Sequence, residues 1–371
     1  MKSLLNEIAN RPAGHGLPPD CYTSSKFLRL EKKKLFLSEW HCLGRVDEIP
    51  EVGDFFTFDL MAEPLLVVRE SELDVSVLCN VCRHRGMPVA KGSGNTNRFR
   101  CPYHAWTYEL NGVLRNAPLV PKEQLDKDCR LPKMNSQCWQ GFIFVSLDVN
   151  AIWPEDRKTQ SLIPLEEHLA NYHMQSMHHA VSFVETWECN WKSLVENFMD
   201  GYHLSVVHPK SLHHLTPTSL CKKVTGSAAF TAYIANYANS APPRENHHPS
   251  LTAEQVKQSQ LFCVFPSLIA SVSADTLVYL ALHPLNVNQV SVKWGIATYE
   301  SDLTDEQLNT RVEKWKQINN EDHEILQRLQ VGLRSKYSAT GPLAADNFEG
   351  TLHDFHQYLV HKLGVLAMTT L

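Results

Sequence analysis

The chain contains no apolar run long enough to cross a bilayer as a helix, which excludes the helical integral-membrane class. Its opening, MKSLLNEIANRPAGHG, lacks the continuous apolar core of a secretory signal. Neither sign of charge dominates. The 35 Lys and Arg stand against 40 Asp and Glu, a formal charge of −5, so neither nucleic acid nor a membrane surface is expected as a partner. Cysteine is thinly spread: ten in 371 residues, without the density of a disulfide scaffold, and a reducing cytoplasm is the expected location. What remains is an ordinary globular composition, 43% hydrophobic and 20% charged, on a chain long enough for two cores.

Taken in order, residues 1–40 read as an arm ending in a short amphipathic helix from Ser25 to Trp40, with Phe27, Leu30, Leu35 and Phe36 on its apolar side. Residues 41–155 read as short strands broken by turns, among them Leu65-Leu66-Val67-Val68, Val75-Ser76-Val77-Leu78 and Gly141-Phe142-Ile143-Phe144-Val145. Asn111-Gly112 is a hairpin signal within that stretch. A charged, proline-containing segment around 150–165 marks a boundary. In residues 156–371, alternating stretches end with one in which Val290, Val292, Trp294 and Ile296 share a face, as in an antiparallel sheet. A helix is expected from Thr304 to Ile318, opened by a capping box of Thr304 and Gln307. Asn319-Asn320 then separates it from a second run, Glu321 to Gln330, whose acids complement the dipole. A last helix, Asn347 to Leu363, carries Phe348, Leu352, Phe355, Leu359 and Leu363 as one stripe. The fold class is α+β. His353, His356 and His361 are expected on the surface, and the His-His pairs at 178, 213 and 247 in solvent.

Two constellations carry chemistry. Cys82-Arg83-His84 and Cys101-Pro102-Tyr103-His104 each offer one soft thiolate and one imidazole, with sixteen residues between them. A zinc finger groups thiolates in one loop and histidines in another. The alternation here suits a [2Fe–2S] centre in which Cys82 and Cys101 hold one iron and His84 and His104 the other. Cys79 reads as a strand residue facing the core. Cys21, Cys42, Cys129, Cys138, Cys189, Cys221 and Cys263 read as small buried hydrophobes.

The second constellation is the run from Asn197 to Pro209. Trp191, Leu194, Val195 and Phe198 have the spacing of a helix face, while Asn197, Asp200 and His203 follow at steps of three on the other side. Pro209 biases His208 out of the α region, so the helix ends there and His208 folds back toward His203. Two neutral imidazoles with one carboxylate from elsewhere make the facial triad of a non-haem Fe(II) oxygenase. The competing reading is a surface pair of histidines at a helix end.

With both constellations present, the chain resembles the catalytic α subunit of Rieske non-haem iron oxygenases. The matching residues are Asn80 to Gly86, Cys101 to Thr107, Asn190-Trp191-Lys192, Asn197 to His208, and Glu321-Asp322 upstream of Gln330. The resemblance implies an N-terminal antiparallel β Rieske domain and a C-terminal helix-grip domain, in which an antiparallel sheet and long helices enclose the substrate. It implies cluster ligands at Cys82, His84, Cys101 and His104, and mononuclear iron ligands at His203, His208 and Asp322. Asp200 matches the family's bridging carboxylate, which links His203 to a cluster histidine of the next subunit, and Asn197 is grouped with it as catalytic. Head-to-tail packing into a homotrimer follows, because one subunit's cluster must serve the next subunit's iron.

The look of the chain is nearest to the branch acting on choline, betaines and carnitine, although several members of that branch carry Glu where this chain has Asp200. The implied activity is that of a terminal oxygenase. NAD(P)H electrons reach the cluster through a separate reductase, of flavin or ferredoxin type. O2 is used to hydroxylate or N-demethylate a small organic substrate, with monooxygenation favoured. The rivals are aromatic-ring cis-dihydroxylation and electron transfer alone. Tyr233, Tyr237, Phe265, Trp294 and Tyr299 are candidates for an aromatic pocket lining.

Overall fold

The computed structural model describes residues 1–125, 129–154, 161–241 and 246–364. They divide into two units: Leu37–Ala151, and Met1–Phe36 together with Ile152–Leu371. The first 36 residues, expected as an arm, are thus built into the unit that holds the C-terminal part of the chain. The reason is buried chemistry: Phe27 and Phe36 are covered, Phe36 meets Trp191 edge-on at 5.0 Å, and Glu31 pairs with Lys192. The helix expected to reach Trp40 ends at Phe36, and Trp40 opens the first strand.

The smaller unit consists of β1 (Trp40–Arg45), β2 (Asp54–Leu60), β3 (Glu63–Arg69), β4 (Val75–Cys79), β5 (Ser93–Asn95), β6 (Phe99–Arg100), β7 (Thr107–Tyr108), β8 (Leu114–Asn116), β9 (Asn135–Trp139) and β10 (Phe142–Ser146). They form sheets β1-β10-β9, β4-β3-β2-β5 and β6-β7-β8. The unbroken apolar run of β3 reflects burial on both faces. Leu66 and Val68 enter the core that contains Cys82 and Cys101, while Leu65 and Val67 enter the other. The Asn111-Gly112 hairpin forms between β7 and β8. Gly112 has φ +80, and a Cβ there would meet the Leu131 carbonyl at 2.9 Å. Cys138, expected to be buried, is exposed on the edge strand β9, where alternate residues face away from the sheet's core.

The larger unit contains α1 (Lys2–Asn10), α2 (Asp20–Thr23), α3 (Ser25–Glu31), α4 (Ile163–Leu169), β11 (His178–Trp187), α5 (Trp191–Phe198), α6 (Leu204–Val207), β12 (Cys221–Val224), β13 (Phe230–Asn236), β14 (Gln258–Val264), β15 (Leu268–Val272), β16 (Thr276–Asn286), β17 (Gln289–Thr298), α7 (Asp305–Leu333) and α8 (Asp346–Leu363). Its sheet is antiparallel throughout, in the order β11-β17-β16-β15-β14-β13-β12. Val290, Val292, Trp294 and Ile296 are all buried, as their alternation predicts. The stripe on α8 buries Leu352, Phe355, Leu359 and Leu363, and α8 runs along β12 and β13.

The helix thought to break at Asn319-Asn320 is continuous from Asp305 to Leu333, with the Thr304/Gln307 capping box in place. Asn319 is 2% exposed, so packing overrides its weak helix preference. Continuity sets Asp322 on the same rod as the residues two and three turns before it. A clamp holds that rod to the start of α5. Gln330 accepts from the Asn190 amide at 2.9 Å and donates to the Tyr22 carbonyl, while the Asn190 side chain caps α5 through Lys192 N. His356, expected on the surface, is buried and bonded to Glu196 at 2.8 Å, because it lies on the side of α8 that faces α5. Among the described residues no helix is long and apolar enough to cross a membrane.

Candidate metal centres

The two loops of the smaller unit are built alike. The carbonyl of Cys82 accepts from Gly86 N, and that of Cys101 from Ala105 N. The amide of Cys82 donates to Met87 O, and that of Cys101 to Trp106 O. Each turn needs a left-handed residue at its fifth position, supplied by Gly86 (φ +78) and Ala105 (φ +58). The result places two buried thiols close enough to interact and two exposed imidazoles 4.7 Å apart, the His84 ring stacking on Trp106. Tyr108 sits behind the thiols, its hydroxyl 3.3 Å from Cys82 Sγ and accepting from Arg83 N. Burial pushes the Cys82 thiol up, a penalty that binding as a thiolate to a cation would relieve. Two sulfurs inward and two imidazoles outward are a donor set that fits a [2Fe–2S] cluster with unlike irons.

In the larger unit, α5 ends at Phe198, earlier than the sequence suggested, and a turn carries the chain to α6. Gly201 makes that turn possible, since a Cβ there would meet Cys221 Cβ at 2.8 Å, and its amide donates to Phe348 O. Asp200 caps the turn, accepting from Tyr202 N and His203 N. His208 ends α6 with φ −113 and ψ 50, outside the α region as Pro209 requires.

His203, His208 and Asp322 each present one donor atom, all within 4.8 Å of one another. His208 Nε2 lies 3.0 Å and His203 Nε2 3.6 Å from Asp322 Oδ1. These spacings fit a cation held by bonds of about 2 Å. Asn197 donates to Asp322 Oδ1 at 3.3 Å. Asp200 Oδ2 stands 3.6 Å from His203 Nδ1, which is buried without a hydrogen-bond partner among the described residues. Burial opposes a charge on His208, but Asp322 and then Glu321 outweigh it and raise its pKa. The site that the sequence drew from two distant stretches is therefore brought together. Glu321 was missed as a neighbour: it accepts from His208 Nδ1 at 2.7 Å.

The triad closes one end of a cavity of about 300 Å³. Leu204, Leu212, Leu215, Leu261 and Ile318 give it an apolar wall, and Phe198, Tyr233, Tyr237 and Trp315 an aromatic one. Asp275, Arg311 and Lys314 also line it. Of the aromatic candidates, Tyr233 and Tyr237 line the cavity. Phe265 packs in the core against Phe355 and Tyr358, and Trp294 donates to Glu185. Tyr299 instead borders an adjoining hollow with His247 and His248. Trp315 was missed, although the steps Arg311, Trp315, Ile318, Asp322 form one helical stripe once α7 is continuous.

The model of the Rieske [2Fe–2S] domain matches residues 39–135, and that of the ring-hydroxylating alpha subunit catalytic domain matches residues 174–364. The chain belongs to that family. It is a Rieske-type oxygenase, with a [2Fe–2S] cluster and a mononuclear iron as its cofactors and a separate reductase as its source of electrons. The catalytic-domain match sets aside the reading as an electron carrier alone.

Two relatives run nearly the full length. The glycine betaine monooxygenase oxygenase subunit of Pseudomonas aeruginosa is 26% identical over 99% of this chain and 93% of its own length. The carnitine monooxygenase oxygenase subunit of Escherichia coli is 25% identical over 92% and 91%. Among solved structures, a quaternary ammonium Rieske monooxygenase described with carnitine oxidation and inter-subunit electron transfer superposes with a TM-score of 0.82. It is 24% identical and covers 97% of this chain and 98% of its own, a likeness of fold.

Proposed function

We propose that this oxygenase inserts one oxygen atom into a C–H bond of a small quaternary ammonium carboxylate. The observation that carries the proposal is the cavity. It runs from the triad along α7 past Ile318 and Trp315 to Lys314 and Arg311, eleven residues or about 16 Å from Asp322 along the helix axis. The aromatic side chains of Phe198 and Tyr233 near the triad, with Trp315 further along the wall, suit a trimethylammonium group. Arg311, paired with Glu300 at 3.9 Å, and Lys314 suit a carboxylate at the far end. The two full-length relatives, named for glycine betaine and carnitine, support the same class.

In this reading Cys82, His84, Cys101 and His104 hold the cluster, and His203, His208 and Asp322 hold the iron. When bound, these groups supply one-electron transfer and the activation of O2. The chain's own residues do the rest. His203, His208 and Asp322 line the cavity, so a metal they held would be within reach of a bound substrate. The leucine and isoleucine wall excludes water from the reacting carbon. The Asn197 amide holds Asp322 by one oxygen. An alcohol results, or a carbinolamine that falls to amine and aldehyde when the carbon is N-methyl.

The oligomer we propose is a ring of three chains, in which Asp200 bridges His203 to His104 of the next chain. Exposed Tyr202 and Val206 beside Asp200 offer the surface such a neighbour would cover. A reductase of flavin or ferredoxin type completes the system. The test is NADH-coupled turnover with a generic reductase under 18O2. The panel sets glycine betaine, carnitine and γ-butyrobetaine against benzoate and naphthalene. A singly labelled product, or aldehyde release, from one of the first three is expected. A doubly labelled cis-diol from an arene, with the betaines inert, would overturn the reading.

A further inference from the structure

The two histidines of the triad are braced unequally. His203 Nδ1 is 3.6 Å from Asp200 and has no hydrogen-bond partner among the described residues. His208 Nδ1 lies 2.7 Å from Glu321 Oε2, a full hydrogen bond on a ring that is 1% exposed. Glu321 is in turn fixed from two sides: Ser211 Oγ donates to its Oε2 and Gln317 Nε2 to its Oε1 at 3.1 Å. We propose that Glu321, buttressed by Ser211 and Gln317, is a positioning residue for the mononuclear metal site: it locks the His208 ring so that Nε2 faces Asp322, and thereby governs how tightly the metal is kept. The proposal rests on the reading of His208 and Asp322 as ligands.

An ionised carboxylate can only accept, so His208 must carry its proton on Nδ1, which leaves the Nε2 lone pair for a metal. The same bond fixes the ring's rotation, and a ligand already oriented loses less freedom on binding. Glu321 and Asp322 are consecutive on α7, about 100° apart around the axis. One step of the helix thus offers His208 an outer carboxylate and an inner one, and the ring sits across both. Ser211 lies in the turn in which Leu212 N and His213 N donate to the His208 carbonyl, so the brace closes locally on the same loop. Asp200 has no comparable buttress among the described residues; its other oxygen is used on the turn amides. The two outer carboxylates therefore divide the work, and metal retention falls to Glu321.

The experiment uses the full chain with its cluster loaded. Release of the mononuclear Fe(II) to a colorimetric chelator and titration of the emptied site with Co(II) are measured for wild type, Glu321→Ala, Glu321→Gln, Ser211→Ala and Asp322→Ala. Glu321→Ala should weaken Co(II) binding and speed Fe(II) release by about 10–100-fold, with Glu321→Gln and Ser211→Ala between it and wild type. The cluster spectrum and the unfolding of the emptied protein should not change. Metal affinity within about twofold of wild type in Glu321→Ala would overturn the proposal. So would a loss of affinity matched by an equal loss of stability in the emptied protein, since Glu321 would then only tie the loop to α7. If Asp322→Ala also keeps full affinity, the ligand reading itself fails; if Asp322→Ala loses the metal while the Glu321 variants keep it, this proposal alone fails.

Discussion

The buried pair of Glu31 and Lys192 ties the N-terminal helices to the first turn of α5, the helix that leads into Asp200 and His203. Both side chains are fully buried, with Nζ 2.8 Å from Oε1. Trp191 Nε1 donates to the second carboxylate oxygen at 3.4 Å, and Nζ lies 5.2 Å, 5.4 Å and 5.5 Å from the ring centres of Trp191, Phe27 and Tyr22. Glu31→Gln removes the counter-charge and leaves an ammonium among rings, where breaking a buried pair costs about 3–5 kcal/mol. Lys192→Met leaves a carboxyl instead. Burial already pushes that carboxyl above its usual range, with Lys192 pulling it partly back, so it can neutralise itself by taking up a proton. Its cost should be about 1–3 kcal/mol. The double variant should be more stable than the sum of the singles by about 2 kcal/mol. Because the folded-state pKa of Glu31 lies above its unfolded value, this carboxyl's contribution is fully present at low pH and is lost as pH rises through the folded value. Acid lability therefore does not originate here. Urea unfolding followed by tryptophan fluorescence reads all three variants. Additive effects, or a Glu31→Gln cost below about 1 kcal/mol, would refute the reasoning.

Cys101→Ser should abolish the visible and EPR signals of the cluster, because a hydroxyl replaces the soft thiolate poorly; a normal reduced-cluster spectrum would remove Cys101 from the ligand set. Tyr108→Phe should keep the cluster but lower its potential, since the hydroxyl next to Cys82 Sγ favours the more negative reduced form. Each tenfold shift in the redox equilibrium reads as about 59 mV in a spectroscopic titration, and an unchanged potential would show that this contact does not tune the cluster. Asp200→Asn should leave both metal centres loaded and the assembly intact while slowing oxidation of the pre-reduced cluster by orders of magnitude. A wild-type rate in that variant would show that Asp200 is not the link between subunits.

Much of both centres was legible because short-range chemistry writes itself into spacing. The alternating Cys and His of the two loops, and Pro209 after His208, fix local geometry within a few residues. The Leu65–Val68 run and the Val290–Ile296 alternation likewise declared strands, and Val290, Val292, Trp294 and Ile296 are all buried. What depends on packing was not legible. Asn319 looks like a helix break until its burial is known, and that misreading hid the stripe from Arg311 to Asp322. Glu321 looked like a dipole-complementing acid because its partner is 113 residues away. His356 became a core residue through Glu196, 160 residues distant. No periodicity reports such contacts.

In the proposed reaction, electrons leave the cluster for O2 chemistry only when the His203, His208 and Asp322 site holds its metal. Protein carrying a fully reduced cluster is mixed with O2 and the substrate identified from the panel, and cluster absorbance and product are followed through one turnover. Wild type should reoxidise its cluster at the rate of product formation. Asp322→Ala, with an intact cluster and about one iron fewer per chain, should stay reduced and form no product over the same interval. Reoxidation and product at the wild-type rate in Asp322→Ala would contradict the account.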